Sequence, residues 1–164
     1  MANQMPVQIG SDFEARYPDA SARATACAMN LVFTADLLVK RIASLLQPFD
    51  LSPASALVLS IVADAESPLP PNKIADRLII SRATVTGLID SLERRGYVQR
   101  RPHHADRRML LVELTDRGRQ VATAFRPIVH QHQKVWLASL SEEEQHQLLA
   151  ALQQVQATLM DSDG

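Results

Sequence analysis

The residues best suited to recognise another molecule lie in one run, from Ser81 to Thr115. The run begins with Ser81, a side chain that can cap a helix N-terminus, and continues with apolar residues at helical spacing. The opposite face carries small and hydrogen-bonding residues, which let a helix approach a surface such as the edge of a base pair closely. The apolar positions are Val85, Leu88, Ile89 and Leu92, and the free face holds Arg82, Ala83, Thr86, Gly87, Asp90 and Arg94.

A basic hairpin is predicted directly after this helix. Gly96 is placed to end the helix, and two short segments with alternating apolar residues follow at 97–101 and 108–114. The polar stretch 102–106 between them is flanked by Arg100, Arg101, Arg107 and Arg108. A helix that can enter a major groove, beside a hairpin that can reach the adjacent minor groove, predicts a winged helix-turn-helix with the hairpin as its wing.

Composition predicts a mostly α protein with one sizeable core. The chain has 164 residues, of which 46% are hydrophobic and only 4% aromatic. The N-terminal sequence has neither the basic nor the apolar region of a signal peptide, and no apolar run approaches the roughly 18 residues of a membrane span. A single cysteine, Cys27, rules out an intrachain disulfide framework and fits a reducing compartment. We therefore expect a cytoplasmic protein with no membrane partner.

Charge is distributed unevenly along the chain. The net charge is -1, yet residues 71–119 hold eleven Lys or Arg against six Asp or Glu. A local excess of positive charge at the predicted helix and hairpin has a physical use, because phosphate contacts supply much of the affinity for DNA. The alternative is a solvated charged face with no partner.

The preceding elements complete a helix-turn-helix. Residues 1–20 are expected to form a partly ordered arm or a short helix, and Ser21–Leu46 a long helix ended by Pro48. Ser52 and Pro53 form a cap and first-turn proline for a helix that ends near residue 65. A proline-rich loop at 66–71 and a third helix at about 72–78 follow. Residues 72–95 thus have the length of a helix-turn-helix.

Two helices are predicted beyond the wing. Thr115 is placed to cap the first, which Pro127 should kink or divide, and Ser141 with Glu144 forms a capping box for the second. We expect the first long helix and these last two to form a dimerisation layer; the alternative is that they close a monomeric core. The last helix carries an apolar stripe at Leu148, Leu152, Val155 and Leu159. The predicted organisation is an arm (1–20), an N-terminal dimerisation helix (21–49), a DNA-binding lobe (50–114) and C-terminal dimerisation helices (115–164).

These features resemble the MarR family of bacterial transcription regulators. The resemblance is carried by the segment KIADRLIISRATVTGLIDSLERRGYVQR and by a wing signature, D-x-R followed by LT-x-x-G, and it covers roughly residues 25–160. The signature residues are Asp106, Arg108, Leu114, Thr115 and Gly118. In that family the order of elements is dimerisation helix, winged helix-turn-helix and two further dimerisation helices, which agrees with the order predicted above.

The resemblance assigns the wing residues. It implies that Arg108 enters the minor groove while Asp106 orients it through a salt bridge, and that Arg107 and Arg101 contact phosphates. The narrow minor groove has enhanced negative potential, so an arginine suits it chemically. The alternative is an exposed hairpin ion pair with a small energetic effect.

For the recognition helix we expect base or phosphate contacts from Arg82, Thr84 and Thr86. Ser81 is expected both to cap the helix and to present its N-terminus to a phosphate. Many relatives carry a larger, often basic residue where Gly87 stands, which leaves the base preference open.

The resemblance also implies a small aromatic or anionic effector bound between the dimerisation helices and the DNA-binding lobe. Asp36, Lys40 and Arg41 are polar candidates for its lining, although each is equally well an ordinary helix-surface charge. Peroxide-sensing relatives place a reactive cysteine near Cys27, but no cation is adjacent in sequence to lower the pKa of its thiol, so a packed or incidental thiol is favoured.

Metal binding and enzymatic activity are disfavoured. His130 and His132 lack the i, i+4 spacing of a helical metal site, and His103 and His104 fall at the wing tip. No phosphate-binding loop, nucleophile elbow or metalloprotease motif occurs, so we expect no catalytic site, metal or cofactor. We expect a homodimeric repressor that binds double-stranded DNA at two half-sites about 10 base pairs apart. Two alternatives remain: a winged-helix protein-interaction module, and an architectural DNA-binding protein without an effector.

Overall fold

The computed structural model describes residues 7–78, 80–103 and 109–161. It is helical apart from one hairpin, and the elements follow the predicted order. The elements are α1 (Phe13–Arg16), α2 (Ala22–Leu46), a 3₁₀ turn (Gln47–Phe49), α3 (Pro53–Ala63), α4 (Pro71–Leu78), α5 (Arg82–Arg94), β1 (Val98–Pro102), β2 (Leu110–Leu114), α6 (Asp116–Trp136) and α7 (Glu142–Asp161).

The core of the first unit is formed where α3, α4 and α5 pack on one another and on the hairpin. The buried stripe predicted for α5 is present, with Val85, Ile89 and Leu92 inaccessible to solvent and Leu88 half-buried. Burial of this stripe holds α5 by one side and leaves its other face free. The remaining fully buried side chains of this core are Leu46, Val58, Leu59, Ile74, Val98 and Val112.

The hairpin acquires a third strand-like segment that the sequence did not reveal. β1 and β2 pair antiparallel, with Val98 opposite Leu114 and Pro102 opposite Leu110. Leu69 forms a bridge to Val112, donating to its carbonyl at 3.0 Å and accepting from its amide at 2.8 Å. Residues 66–71 were predicted as an irregular loop; Leu69 instead covers the outer edge of β2, and α4 begins at Pro71, one residue earlier than expected.

Capping side chains begin the helices where the sequence placed them. Ser52 accepts a hydrogen bond from the amide of Ser55 at 3.1 Å, and Thr115 accepts one from the amide of Gly118 at 3.0 Å. Ser141 and Glu144 form the reciprocal capping box, in which the Ser141 amide donates to Glu144 Oε2 at 2.7 Å. Each cap satisfies an amide that the helix itself cannot pair.

Two prolines lie at the end of one long helix and inside another. The α-helix α2 ends at Leu46, as predicted, and Pro48 lies within the following 3₁₀ turn. Pro127 lies inside a single helix, α6, so the helix is not divided there. Its ring nitrogen cannot donate to the carbonyl four residues earlier, and the helix continues with that one bond missing.

The chain forms two compact units, one comprising the described residues up to Ala122 and the other those from Thr123 onward. In the first unit, α1 forms the short helix expected of the N-terminal arm, and the rings of Phe13 and Tyr17 lie 5.1 Å apart. The Asn30 side chain both donates to the carbonyl and accepts from the amide of Val7 at 3.0 Å, which fixes the arm on α2.

Within the described residues, no single helix has the length and apolar composition needed to cross a membrane. The bent pair of 22–49 and 53–63, at 72° to one another, reaches that composition only jointly.

Candidate nucleic-acid interface

The free face of α5 presents a short polar surface at the start of the helix. Arg82, Ala83, Thr84, Thr86 and Gly87 are all exposed. A β-carbon added at Gly87 would meet no atom within 4 Å, so this part of the helix is bare backbone open to a partner.

The hydroxyl groups on this face are partly engaged by the helix itself. Ser81 Oγ accepts from the amide of Thr84 at 3.1 Å and lies 2.7 Å from the Thr84 hydroxyl, while the Thr86 hydroxyl donates to the carbonyl of Arg82 at 2.9 Å. The Thr86 oxygen can still accept a hydrogen bond. The Arg82 guanidinium is exposed and makes no ion pair with another described residue, so an anion can reach it.

Gly96 turns the chain from α5 into β1. Its φ of 71° lies in the left-handed region, where glycine avoids the steric cost that other residues meet. The amide of Gly96 donates to Glu93 and that of Tyr97 to Leu92, each at 2.9 Å, closing the end of the helix. The turn therefore places the hairpin directly beside the C-terminal half of α5.

Much of the positive charge predicted for this region is paired within the fold. Arg101 pairs with Glu113 across the hairpin, Arg95 lies 3.0 Å from Asp50, and Arg119 lies 3.8 Å from Asp116. Arg101 nevertheless keeps 64% of its side chain exposed. The charge count of residues 71–119 gave only the net excess, because a count along the chain cannot show which acid folds against which base.

The wing-tip residues Asp106, Arg107 and Arg108 lie outside the described residues. Their assignment to the minor groove and to phosphates therefore stays a prediction. Of the predicted contact residues, the structure places Ser81, Arg82, Thr84 and Thr86 together on one exposed helix turn, and Arg101 on the first hairpin strand.

Arg100 is the residue of this region whose position differs most from expectation. From the sequence, Arg100 was expected among the arginines that flank the wing tip, and Asp90 on the free face of α5. In the structure Arg100 bonds to both Asp90 and Glu93 on α5 and is only 20% exposed. Although burial acts to lower the pKa of Arg100, its bond to Asp90 and the charges of Glu93 and Asp90 outweigh it, so its pKa is raised and it stays charged.

The LT-x-x-G signature forms the joint between the hairpin and α6. The Thr115 hydroxyl donates to the carbonyl of Gly96 at 2.6 Å, and its oxygen accepts from the amide of Gly118. The Arg117 guanidinium lies 5.2 Å from the ring centre of Tyr97. One threonine therefore both begins α6 and holds the turn at the end of α5.

The histidines of α6 and Cys27 were the remaining candidates for chemistry. Among the described residues no group of three His, Cys, Asp or Glu side chains could hold a metal ion. His132 Nδ1 lies 2.8 Å from the carbonyl of Ile128, and His130 Nδ1 lies 3.2 Å from the Gln133 side chain. Cys27 is exposed.

The structure has three helices with α5 presented outward, followed by a two-stranded hairpin to which Leu69 is bridged. This arrangement defines a winged helix-turn-helix. Residues 49–109 match the model of the MarR family. The lobe at residues 49–109 is therefore similar to the DNA-binding lobe of the MarR family.

Relatives and solved structures agree with this assignment. The HTH-type transcriptional repressor YetL of Bacillus subtilis is 33% identical over 103 residues, 62% of each chain, and the HTH-type transcriptional regulator PecS of Dickeya dadantii is 32% identical over 97 residues, 57% of each. The chain thus spans about 60% of the length of these relatives. A crystal structure of an S. aureus MepR–DNA complex shares the fold, with a TM-score of 0.76 and 24% identity over 80% of this chain and 96% of that one.

Proposed function

We propose that this protein is a transcription regulator of the repressor type that binds double-stranded DNA. The observation that carries the proposal is the start of α5, where Arg82 and the capped helix N-terminus are exposed together on the helix that a winged helix-turn-helix inserts into the major groove. YetL is named a repressor and PecS a regulator, which supports this function. The wing arginines Arg107 and Arg108, with Asp106, are proposed to reach the minor groove, and Arg101 a phosphate.

We propose that the protein acts as a homodimer through its terminal helices. In the single chain, α2 exposes Leu31, Leu38 and Val39, and α7 exposes Leu148, Leu149, Val155 and Leu159. Long helices that leave this much apolar surface in water need a partner, and a second copy supplies identical faces by symmetry. Two recognition helices would then read half-sites of a pseudo-palindrome in the cytoplasm. The proposed boundaries of this layer are residues 21–49 and 115–164.

We propose a small aromatic effector that releases the DNA. An open apolar groove of about 480 Å³ on α2 has the size of a small-ligand site. Asp36, at this groove, pairs with Lys40 at 2.6 Å, so the one carboxylate there is partly neutralised but still disfavours an anionic group beside it. The lining residues are Val7, Ala28, Met29, Val32, Phe33 and Asp36.

The DNA-binding proposal is tested by titrating the protein, at several salt concentrations, onto a duplex from just upstream of its own gene and onto a scrambled duplex. Arg82→Gln should weaken binding and, if Arg82 contacts a phosphate, lower the slope of log affinity against log salt by about one. Arg23→Gln is the matched control, because Arg23 is an exposed arginine on α2, outside the proposed interface.

Three outcomes separate the functions. Selective binding that Arg82→Gln weakens and Arg23→Gln does not supports the regulator. Selective binding that no small molecule reverses favours an architectural protein. Weak and equal binding to both duplexes, repeated with sequences selected from a random pool, would leave only the protein-interaction module.

A further inference from the structure

A cluster of three charged side chains joins the recognition helix to the wing. Arg100 lies in β1, while Asp90 and Glu93 lie on the last turns of α5. Arg100 Nη2 donates to Asp90 Oδ1 at 2.5 Å, and Nη1 donates to Glu93 Oε2. The backbone amide of Arg100 donates to Glu93 Oε1 at 3.1 Å, so one carboxylate holds both the main chain and the side chain of the same residue.

The exposure of Arg100 separates it from the neighbouring arginine. Its side chain is 20% exposed, whereas that of Arg101, on the other face of the same strand, is 64% exposed. A guanidinium withdrawn from water in this way is tolerated only with partners in good geometry, and its planar fork suits two carboxylates at once. The guanidinium of Arg100 therefore points to α5 and is not presented to a phosphate.

The cluster adds a second connection where the chain already turns at Gly96. The turn fixes where β1 begins, and the bridge from Leu69 to Val112 holds β2, but neither contact joins the middle of β1 to α5. Bonds from Arg100, in the middle of β1, to two successive turns of α5 make this connection and so fix the angle between the wing and the helix.

We propose that Arg100 is a positioning residue for DNA recognition. It holds the wing at the angle to α5 at which helix and wing engage one half-site together, and it makes no contact with DNA itself. This inference rests on the proposed DNA-binding function. A positioning residue affects the preference for the correct DNA sequence more than the affinity for DNA of any sequence. The reason is that attraction to phosphates depends mainly on charge and less on the angle between the wing and α5.

The test compares Arg100→Lys, Arg100→Gln and the matched control Arg101→Gln. The probes are a duplex that the wild-type protein selects from a random pool and a scrambled duplex of equal length. Arg100→Lys keeps the charge and loses the fork, so we expect the ratio of selected to scrambled affinity to fall at least about ten-fold while the salt slope on scrambled DNA stays unchanged. Arg101→Gln should weaken binding to both duplexes about equally and lower that slope.

Thermal unfolding of the same variants shows at which temperatures each is fully folded. A lower ratio of selected to scrambled affinity in Arg100→Lys, at temperatures where this variant is fully folded, supports the positioning role. If Arg100→Lys keeps the wild-type ratio, Arg100 acts as a charge alone and the inference is wrong. If Arg100→Gln fails to fold, Arg100→Lys decides. A wild-type protein that selects no duplex would instead contradict the proposed function.

Discussion

A β-carbon on Gly118 would lie 1.8 Å from the carbonyl oxygen of Tyr97. The first turn of α6 therefore lies directly against the backbone that leads into β1. The same carbonyl accepts the amide of Thr115 at 3.1 Å, which keeps the two segments in contact. This close approach explains why the LT-x-x-G signature has a glycine at this position, since any side chain here would separate α6 from the wing.

Gly118→Ala should destabilise the fold, because neither the backbone of α6 nor the Tyr97 carbonyl before β1 can move aside as a side chain does. We expect a loss of about 3 kcal/mol, at the upper end of what overpacking costs. Urea denaturation followed by circular dichroism measures it. An unchanged unfolding midpoint would show that the two segments do not approach each other this closely.

Gly87→Ala makes the same chemical change in α5 and should have the opposite effect. The added β-carbon meets nothing, so the substitution only removes backbone freedom from the unfolded chain and should stabilise by about 0.5–1 kcal/mol. The same urea experiment reports both variants. Destabilisation here would indicate that the helix face at Gly87 is covered within the folded chain.

Ser81→Ala should weaken the start of the recognition helix. The serine oxygen accepts from the Thr84 amide at 3.1 Å, and loss of such a cap costs about 1 kcal/mol. Ser81→Asn should restore most of the stability, because asparagine caps equally well. If both variants unfold like wild type in urea, the cap does not stabilise α5.

These caps show how much the sequence could predict. Ser52, Ser81, Thr115 and Ser141 each act on an amide three residues away, so their signal is local, and the helices, hairpin and buried stripe of α5 were predicted from equally short patterns. The bridge from Leu69 to Val112 and the bonds from Arg100 to Asp90 join segments far apart in sequence or across a turn. No periodicity records which distant partner such a residue meets, so the pairing of the arginines had to come from the structure.

The capping box of α7 should respond to acid. Hydrogen bonds from the Ser141 amide, and then from its hydroxyl, lower the pKa of the Glu144 carboxyl below its ordinary value. A group whose pKa is lowered by folding contributes stability above its unfolded pKa, and loses that contribution as pH falls through the folded value. NMR titration should show the pKa of Glu144 rising toward its ordinary value in Ser141→Ala. Because the backbone amide at position 141 is retained in this variant, the rise should be partial, and an identical titration curve would mean that the Ser141 hydroxyl does not bond to Glu144 in solution.

The proposed dimer makes a prediction about exposed residues. Leu159 on α7 is 63% exposed in the single chain, so Leu159→Glu costs little where no partner covers it, but buries a charge if a second copy packs there. We expect this variant to sediment as a folded monomer at concentrations where the wild type is a dimer. Gln153→Glu is the control, since Gln153 is an exposed residue of the same helix outside the apolar stripe, and it should remain dimeric. A Leu159→Glu variant as dimeric as the control would exclude this part of α7 from the interface, and a monomeric wild type would overturn the homodimer altogether.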